Sequence, residues 1–150
     1  MPTTQDCCPL ARGLARVGDA WSMLILRDVA VGLSRFDQIR VSLGIAPNIL
    51  TQRLRSLSEA GLLAKRQYSE RPPRDEYVLT EAGKAFLPVL YVIGEWGHRF
   101  NGEGGVSQLV DSETGEVVEP LVVDRLSGVS LAGRALKLVP PPGVEANEVN

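Results

Sequence analysis

The stretch PNILTQRLRSLSEAG, residues 47–61, decides the fold of this chain. Pro47 can open a helix, because the N–H that proline lacks would have no partner in the first turn, and Gly61 can end it. Between them, Leu50, Leu54 and Leu57 recur at the spacing of one buried helical face. The pattern therefore predicts an amphipathic helix over residues 47–60.

The opposite side of this helix carries side chains suited to reading DNA. Asn48, Gln52 and Arg55 follow one another at i, i+4 and i+7, and Thr51 lies beside them. Arginine can bind guanine through two donors, asparagine and glutamine can do the same for adenine, and a helix of this kind fits the major groove. Arg53, nearer the edge of this side, is better placed for a phosphate. Taken alone, the pattern also describes an ordinary surface helix.

Two short extended runs follow, residues 62–69 and 75–79, separated by the segment ERPPR at residues 70–74. Prolines between extended runs indicate a hairpin with an exposed tip. Four basic residues lie on or near that tip and suit phosphates or an adjacent minor groove: Lys65, Arg66, Arg71 and Arg74. The hairpin is therefore a second candidate contact with DNA.

Three helices are predicted before this region and one after it. Each of the first three starts at a helix-opening residue or pair and ends at a glycine: Pro9 to Gly18, Asp19 to Gly32, and the capping-box-like pair Ser34 and Asp37 to Gly44. Thr80 caps the long last helix. The order of helices and hairpin is that of a winged helix-turn-helix, and we expect a mostly helical α+β fold with a small β-hairpin-rich C-terminal extension.

The overall charge of −2 conceals a local basic region. Residues 35–74 hold 8 Lys and Arg against 3 Asp and Glu, whereas residues 103–150 hold 3 against 8. A positive surface confined to the region of the predicted helix-turn-helix and hairpin is what binding to a polyanion requires. Charge therefore supports DNA as the partner.

The glycine-rich segment at residues 101–105 is the best domain boundary in the chain. It predicts a DNA-binding domain at 1–102, a small β module at 103–139 and a disordered, proline-rich acidic tail at 140–150. Residues 106–110, 117–123 and 135–139 have the composition of short strands. Asp111-Ser-Glu-Thr-Gly recurs 13 residues later as Asp124-Arg-Leu-Ser-Gly, the spacing of zinc-ribbon knuckles with every thiolate replaced. A metal-free ribbon and two ordinary hairpin turns both fit this repeat.

An ordered series of motifs resembles the HxlR-type regulators, a branch of the MarR-like winged-helix proteins. The resemblance covers about residues 7–100 and lies in segments 8–10, 17–21, 35–36, 50–54, 59–62, 72–77 and 79–83, with a closing Trp96. It departs from the family at Ala20, Asn48, at residues 46–47, which lack a Ser or Thr cap, and at Asp75. The resemblance implies a transcription regulator that binds a two-fold related operator as a homodimer.

The resemblance also implies where the dimer forms and how it is regulated. Its first and last helices would form the interface, through Leu10, Leu14, Leu90, Ile93 and Trp96. Some members respond to oxidants or small molecules; Cys8, before a helix-opening proline, is then the candidate sensor, and its alternative role is interface packing. The aromatic residues that could line an effector pocket are equally core residues: Trp21, Phe36, Phe86 and Trp96.

Other classes of function receive less support from the sequence. His98 is the only histidine and has no telling partner, and no phosphate-binding loop or metal-ligand motif is present, so we expect neither an enzyme nor a metal or cofactor. No stretch approaches the roughly 20 apolar residues that cross a bilayer, and residues 1–6 do not resemble a signal peptide, so we expect a cytoplasmic protein. The remaining alternative is a winged helix that binds proteins and does not read DNA.

Overall fold

The computed structural model describes residues 8–100, 104–139 and 141–142. The predicted tail at 140–150 therefore lies almost wholly outside the described residues, as do Cys7 and part of the predicted boundary at 101–105. The elements, in chain order, are α1 Pro9–Val17, α2 Ala20–Ala30, α3 Phe36–Leu43, α4 Pro47–Glu59, β1 Leu63–Glu70, β2 Pro73–Leu79 and α5 Glu81–Phe100.

The described chain divides into two compact units. One contains the residues up to Lys84 together with those from Lys137 onward, and the other contains Ala85–Leu136. The first unit holds α1 to α4, the hairpin and the first turn of α5. The second holds the rest of α5 and the residues of the C-terminal extension.

Two of the predicted helix caps are confirmed by hydrogen bonds. The Asp19 carboxylate accepts from the N–H of Ser22 at 3.0 Å, which satisfies a free donor at the start of α2. The Thr80 hydroxyl accepts from the N–H of Gly83 at 3.1 Å and donates to the carbonyl of Gly61 at 2.6 Å. Thr80 therefore both caps α5 and fastens it to the end of α4.

The predicted capping pair of Ser34 and Asp37 is wrong by one residue. The N-cap of α3 is Arg35, whose N–H donates to the Gln38 side-chain carbonyl at 3.1 Å. Ser34 is instead drawn to the hairpin, where its hydroxyl donates to Glu76 at 3.1 Å. A tertiary partner thus competes successfully for the hydroxyl that local pattern assigned to the helix.

The core of the first unit forms around α4. Leu50, Leu54 and Leu57 are all buried, as the opening pattern predicts. They belong to a core that also includes Ile25 and Leu26 of α2 and further apolar side chains at Val17, Val29, Ile39, Ile45, Leu62 and Leu63. Burial of this face fixes which side of α4 is left to solvent.

The hairpin is antiparallel; its first strand is shifted by one residue from the prediction, and its second strand is two residues longer. Pairing runs from Leu63 opposite Leu79 to Glu70 opposite Pro73, with an irregularity between Gln67 and Ser69. The predicted five-residue separation at 70–74 is wrong, because the pairing continues through it and leaves only residues 71–72 between the strands.

The three strand-like runs predicted in the extension do not form strands. Over the described residues of the second unit, β pairing is limited to single bridges, Val110 with Val117 and Val123 with Ser130. Each bridge closes one copy of the 13-residue repeat, and Gly115 and Gly128 take positive φ angles of 75° and 70° there. Turns therefore form at both copies of the repeat, as both open interpretations require, and the prediction of extended strands is wrong.

Candidate nucleic-acid interface

The solvent side of α4 presents four polar side chains, which we call the recognition face: Asn48, Thr51, Gln52 and Arg55. All four residues are exposed, while the leucines on the other side are buried. Thr51 donates to the carbonyl of Pro47 at 2.9 Å. The amides of Asn48 and Gln52 make no side-chain hydrogen bond within the described chain, so their donors and acceptors are available to base edges.

Arg55 is occupied by a neighbour on its own helix. Its Nε donates to Glu59 at 2.8 Å, and this hydrogen bond, with the charge of Glu59, raises the pKa of Arg55 above its usual value. The side chains of Arg55 and Glu59 are 79% and 64% exposed. Ion pairs this exposed contribute little to stability, so Arg55 can exchange Glu59 for a base at small cost.

Arg53 lies in a different environment from the rest of α4. Its Nη2 contacts the Asp19 carboxylate at 2.5 Å, with both side chains about one-third exposed. Asp19 thus caps α2 and holds α4 against it at once. The phosphate contact predicted for Arg53 stays a prediction. To make it, the Arg53 guanidinium would have to bind a phosphate in addition to Asp19 or in its place.

We call the hairpin of β1 and β2 the wing. Its four predicted DNA-contacting basic residues fall into two groups. Lys65 contacts Asp75 at 2.8 Å, and Arg66 contacts Glu76 at 2.6 Å, both across the strands. The hydrogen bond that Lys65 donates to Asp75 raises the pKa of Lys65, and the one that Arg66 donates to Glu76 lowers the pKa of Glu76. The other group, Arg71 and Arg74, is exposed and makes no ion pair within the described chain.

The wing is anchored to the start of α3. The N–H of Tyr77 donates to the carbonyl of Ser34 at 2.8 Å, and the Arg35 guanidinium carbon lies 4.2 Å from the centre of the Tyr68 ring. Sequence reasoning did not assign Arg35 or Tyr68 to the site. Arg35 formed part of a family motif, but 33 residues separate it from the aromatic ring it meets, and no spacing rule connects them.

A shallow cleft of about 560 Å³ lies between these elements. Residues 35–38 of α3 line one side, and the wing contributes Tyr68, Arg74 and Asp75. We call it the arginine cleft, after Arg35 and Arg74. The aromatic effector pocket that the sequence suggested is not this cleft, since Phe36 is the only one of its four residues there.

The residues predicted for a dimer interface are largely exposed. In the first unit, Leu10 and Leu14 of α1 are 66% and 46% exposed, and in the second, Ile93 and Trp96 are 46% and 58% exposed. Leu90 is partly exposed. Cys8 stands just before α1 with its thiol free and the residue half-buried. These positions remain predictions, and their exposure leaves them available for contact.

A short helix, a turn and a second helix with a buried leucine face, followed by a two-stranded hairpin, define a winged helix-turn-helix protein. The profile of the HxlR-like helix-turn-helix family matches residues 16–104. The chain belongs to this family of transcription regulators.

Relatives and solved structures agree with that assignment. An uncharacterised HTH-type transcriptional regulator of Mycobacterium tuberculosis is 36% identical over 139 residues, covering 91% of this chain and 88% of the relative. The crystal structure of PA1607, described as a candidate transcription factor, aligns with a TM-score of 0.81 at 38% identity, covering 91% and 96% of the two chains. The redox regulator HypR, in its oxidised form, aligns at 0.59 and 30% identity, covering 64% of this chain and 100% of its own.

Two kinds of feature are absent from the described residues. No group of three or more His, Cys, Asp or Glu side chains is arranged to hold a metal ion. None of the helices in this part of the chain is long and apolar enough to cross a membrane.

Proposed function

We propose that this regulator acts in the cytoplasm as a homodimer that places one copy of α4 in each of two successive major grooves and sets the wings on the flanking backbone. The recognition face supplies the base contacts, and the wing supplies contacts to phosphates or to the adjacent minor groove. Two half-sites one helical turn of DNA apart, about 34–36 Å, would match such a dimer.

The observation that carries the proposal is the division of α4 into two sides. Three leucines on one side are fully buried, and every residue of the recognition face is exposed. A helix held rigidly by its apolar side presents its polar side in fixed orientation, which direct reading of base edges requires. The unpaired Arg71 and Arg74 add positive charge on the neighbouring wing.

The test starts from DNA selected by the protein itself. Fragments of intergenic DNA that survive an excess of random competitor supply the operator, and affinities are then measured at several salt concentrations. We expect Gln52→Ala and Arg55→Ala each to reduce the free-energy preference for the operator over random DNA by about 1–3 kcal/mol. We expect Arg71→Ala to weaken binding to the operator and to random DNA alike. The slope of log affinity against log salt concentration, which we call the salt slope, should become shallower by about 1.

Lys84→Ala is the matched control for loss of charge. Lys84 is exposed, pairs with Glu81 in the first turn of α5, and lies outside the helix-turn-helix and the wing. If Arg55→Ala and Arg71→Ala behave like Lys84→Ala, the placement of α4 and the wing on DNA is wrong. If the wild-type protein never prefers any fragment to random DNA, the alternative of a protein-binding winged helix replaces the proposal.

For the dimer we propose contacts through α1 and α5. Along α5 the exposed apolar residues Val89, Ile93, Trp96 and Phe100 are spaced by four, three and four, the pattern of a helix that packs along a partner helix. Trp96 and Phe100 also contact each other, with ring centres 6.1 Å apart. Ile93→Asp should therefore yield a monomer in sedimentation equilibrium and abolish tight operator binding; a dimer that persists at micromolar concentration would place the interface elsewhere.

Cys8 is proposed as the point at which an oxidant alters DNA binding. It precedes α1 with its thiol free, and HypR is described as a redox regulator. Operator affinity measured with and without diamide should change for the wild type and for Cys7→Ser, and stay constant for Cys8→Ser. An equal response from Cys8→Ser would remove this residue from the proposal.

A further inference from the structure

Arg35 stands where α3 meets the wing, and one contact holds its backbone while another holds its side chain. Its backbone N–H is fixed by Gln38, and its guanidinium lies over the ring of Tyr68 from β1 at 4.2 Å from the ring centre. Tyr68 is half-buried, whereas Arg35 is exposed. The ring can thus orient the guanidinium while leaving its N–H donors directed to solvent, since stacking uses the face of the group and not its edge.

The charges around Arg35 leave it without a carboxylate partner. Of the acidic residues in the arginine cleft, Asp75 is taken by Lys65 at 2.8 Å, and Asp37 faces Arg40 at 3.7 Å. Glu76 lies outside the cleft, and although the charge of Arg35 contributes to its lowered pKa, its carboxylate is bound by Arg66 at 2.6 Å. Within the described chain Arg35 makes no ion pair, and neither does Arg74 opposite it.

Two unpaired guanidinium groups therefore line one open cleft next to a helix-turn-helix. In this motif the first helix crosses the DNA backbone while the second enters the groove. Here the first helix is α3, and Arg35 is its N-terminal cap. We propose that Arg35 binds a backbone phosphate of the DNA in the arginine cleft, beside Arg74, and that Tyr68 is the residue that positions it.

This inference rests on the proposed function, because its ligand is the backbone of the same DNA. It differs in what it predicts, since phosphate contacts carry no sequence information. Arg35 should contribute equally to every duplex, and a random duplex is therefore a sufficient probe. A fluorescein-labelled random 30-base-pair duplex and the selected operator serve as the two probes, each titrated at four salt concentrations.

We expect Arg35→Ala to weaken binding to both probes by the same factor, about tenfold, and to lower the salt slope by about 1. Lys84→Ala, which removes the same charge from α5, should leave affinity and slope unchanged. Equal affinity and slope for Arg35→Ala and the wild type would overturn the inference. So would a loss confined to the operator, because that would make Arg35 a reader of bases.

The role of Tyr68 is tested through Arg35. Tyr68→Phe keeps the ring and should bind both probes as the wild type does, whereas Tyr68→Ala should lose about two- to fivefold. In the Arg35→Ala background the Tyr68→Ala change should have no further effect, since its action passes through the arginine. An undiminished effect in that background would overturn the positioning role, and circular dichroism spectra establish that each variant is folded.

The two levels of failure are distinguishable. If the wild type binds the operator tightly but Arg35→Ala leaves the slope unchanged, the inference fails and the proposed function stands. If the wild type shows no preference for any fragment over the random duplex, the proposed function fails. The arginine cleft is then not part of a sequence-specific DNA-binding surface.

Discussion

The buried hydrophobic side chains of the described residues all lie between Val17 and Leu63, whereas residues 104–136 bury none. In that second region Leu126 is 96% exposed, and every valine is between 40% and 56% exposed. Its turns are held by the carboxylates of Asp111 and Asp124, which accept hydrogen bonds from residues two and three positions on. One region is thus stabilised by burial and the other by local polar contacts.

The same two regions differ in how many of the relatives share them. The family profile ends at residue 104, and the solved HypR structure corresponds to 64% of this chain. PA1607 corresponds to 91% of it and aligns more closely. The winged helix-turn-helix is therefore common to these proteins, while the extension is shared by only some of them.

The largest expected effect comes from truncating the core of α4. Leu54 is 1% exposed, and Leu54→Ala should lower the free energy of unfolding by about 2–5 kcal/mol through lost burial and the cavity left behind. The control, Leu126→Ala in the extension, should stay within about 0.5 kcal/mol of the wild type. Urea unfolding followed by circular dichroism, at one fixed protein concentration, gives both values. Similar losses in the two variants would abolish the contrast between the regions.

A second comparison uses two glycines of the same helix. A Cβ at Gly83 would lie 2.2 Å from the carbonyl oxygen of Leu62, so Gly83→Ala must push α5 away from the end of α4, at a cost of about 1–3 kcal/mol. Gly94 has nothing within 4 Å of that position. Gly94→Ala should therefore raise stability by about 0.5–1 kcal/mol through helix propensity alone. Thermal melting of the two variants should move in opposite directions; a shared direction would contradict the close packing at Gly83.

The two regions also differ in how far the sequence predicts them. The helices of the first unit follow from periodicity and from caps such as Asp19 and Thr80, whose partners lie within three residues. Contacts between elements were not predictable, because Ser34 finds Glu76 42 residues away and Arg35 finds Tyr68. Ion pairs between elements could not be predicted for the same reason. The sequence assigned both Arg53 and Arg71 to possible phosphate contacts, although of the two only Arg53 binds a carboxylate in the described chain.

In the extension the sequence overstated strands and understated turns. Valine-rich runs have the composition of strands, but a strand needs a partner that accepts its whole length, and here only single bridges form. The Asp-x-x-Thr-Gly and Asp-x-x-Ser-Gly repeats carried the better signal. Their carboxylates accept hydrogen bonds from within each turn and so stabilise it.

The smallest expected effect is a local response of these turns to acid. Hydrogen bonds from Thr114 and Glu113 lower the pKa of Asp111, and those from Ser127 and Leu126 lower the pKa of Asp124. A carboxyl whose folded pKa lies below its unfolded value stabilises the turn fully at neutral pH, and that contribution is lost as the pH falls through the lowered value. The amide resonances of Thr114 and Leu126 should therefore titrate below pH 3.8, the ordinary value of the carboxyl.

Asp111→Asn separates this local event from global acid unfolding. In that variant the Thr114 amide should stop titrating, while the Leu126 amide, which reports on Asp124, should keep its midpoint, because each turn closes on its own carboxylate. Signals from the α4 core should not shift at the same pH. If the Thr114 and Leu126 amides moved only when the core signals did, the extension would owe its structure to the folded first unit and not to its own turns, and the contrast between burial and local hydrogen bonding would have to be given up.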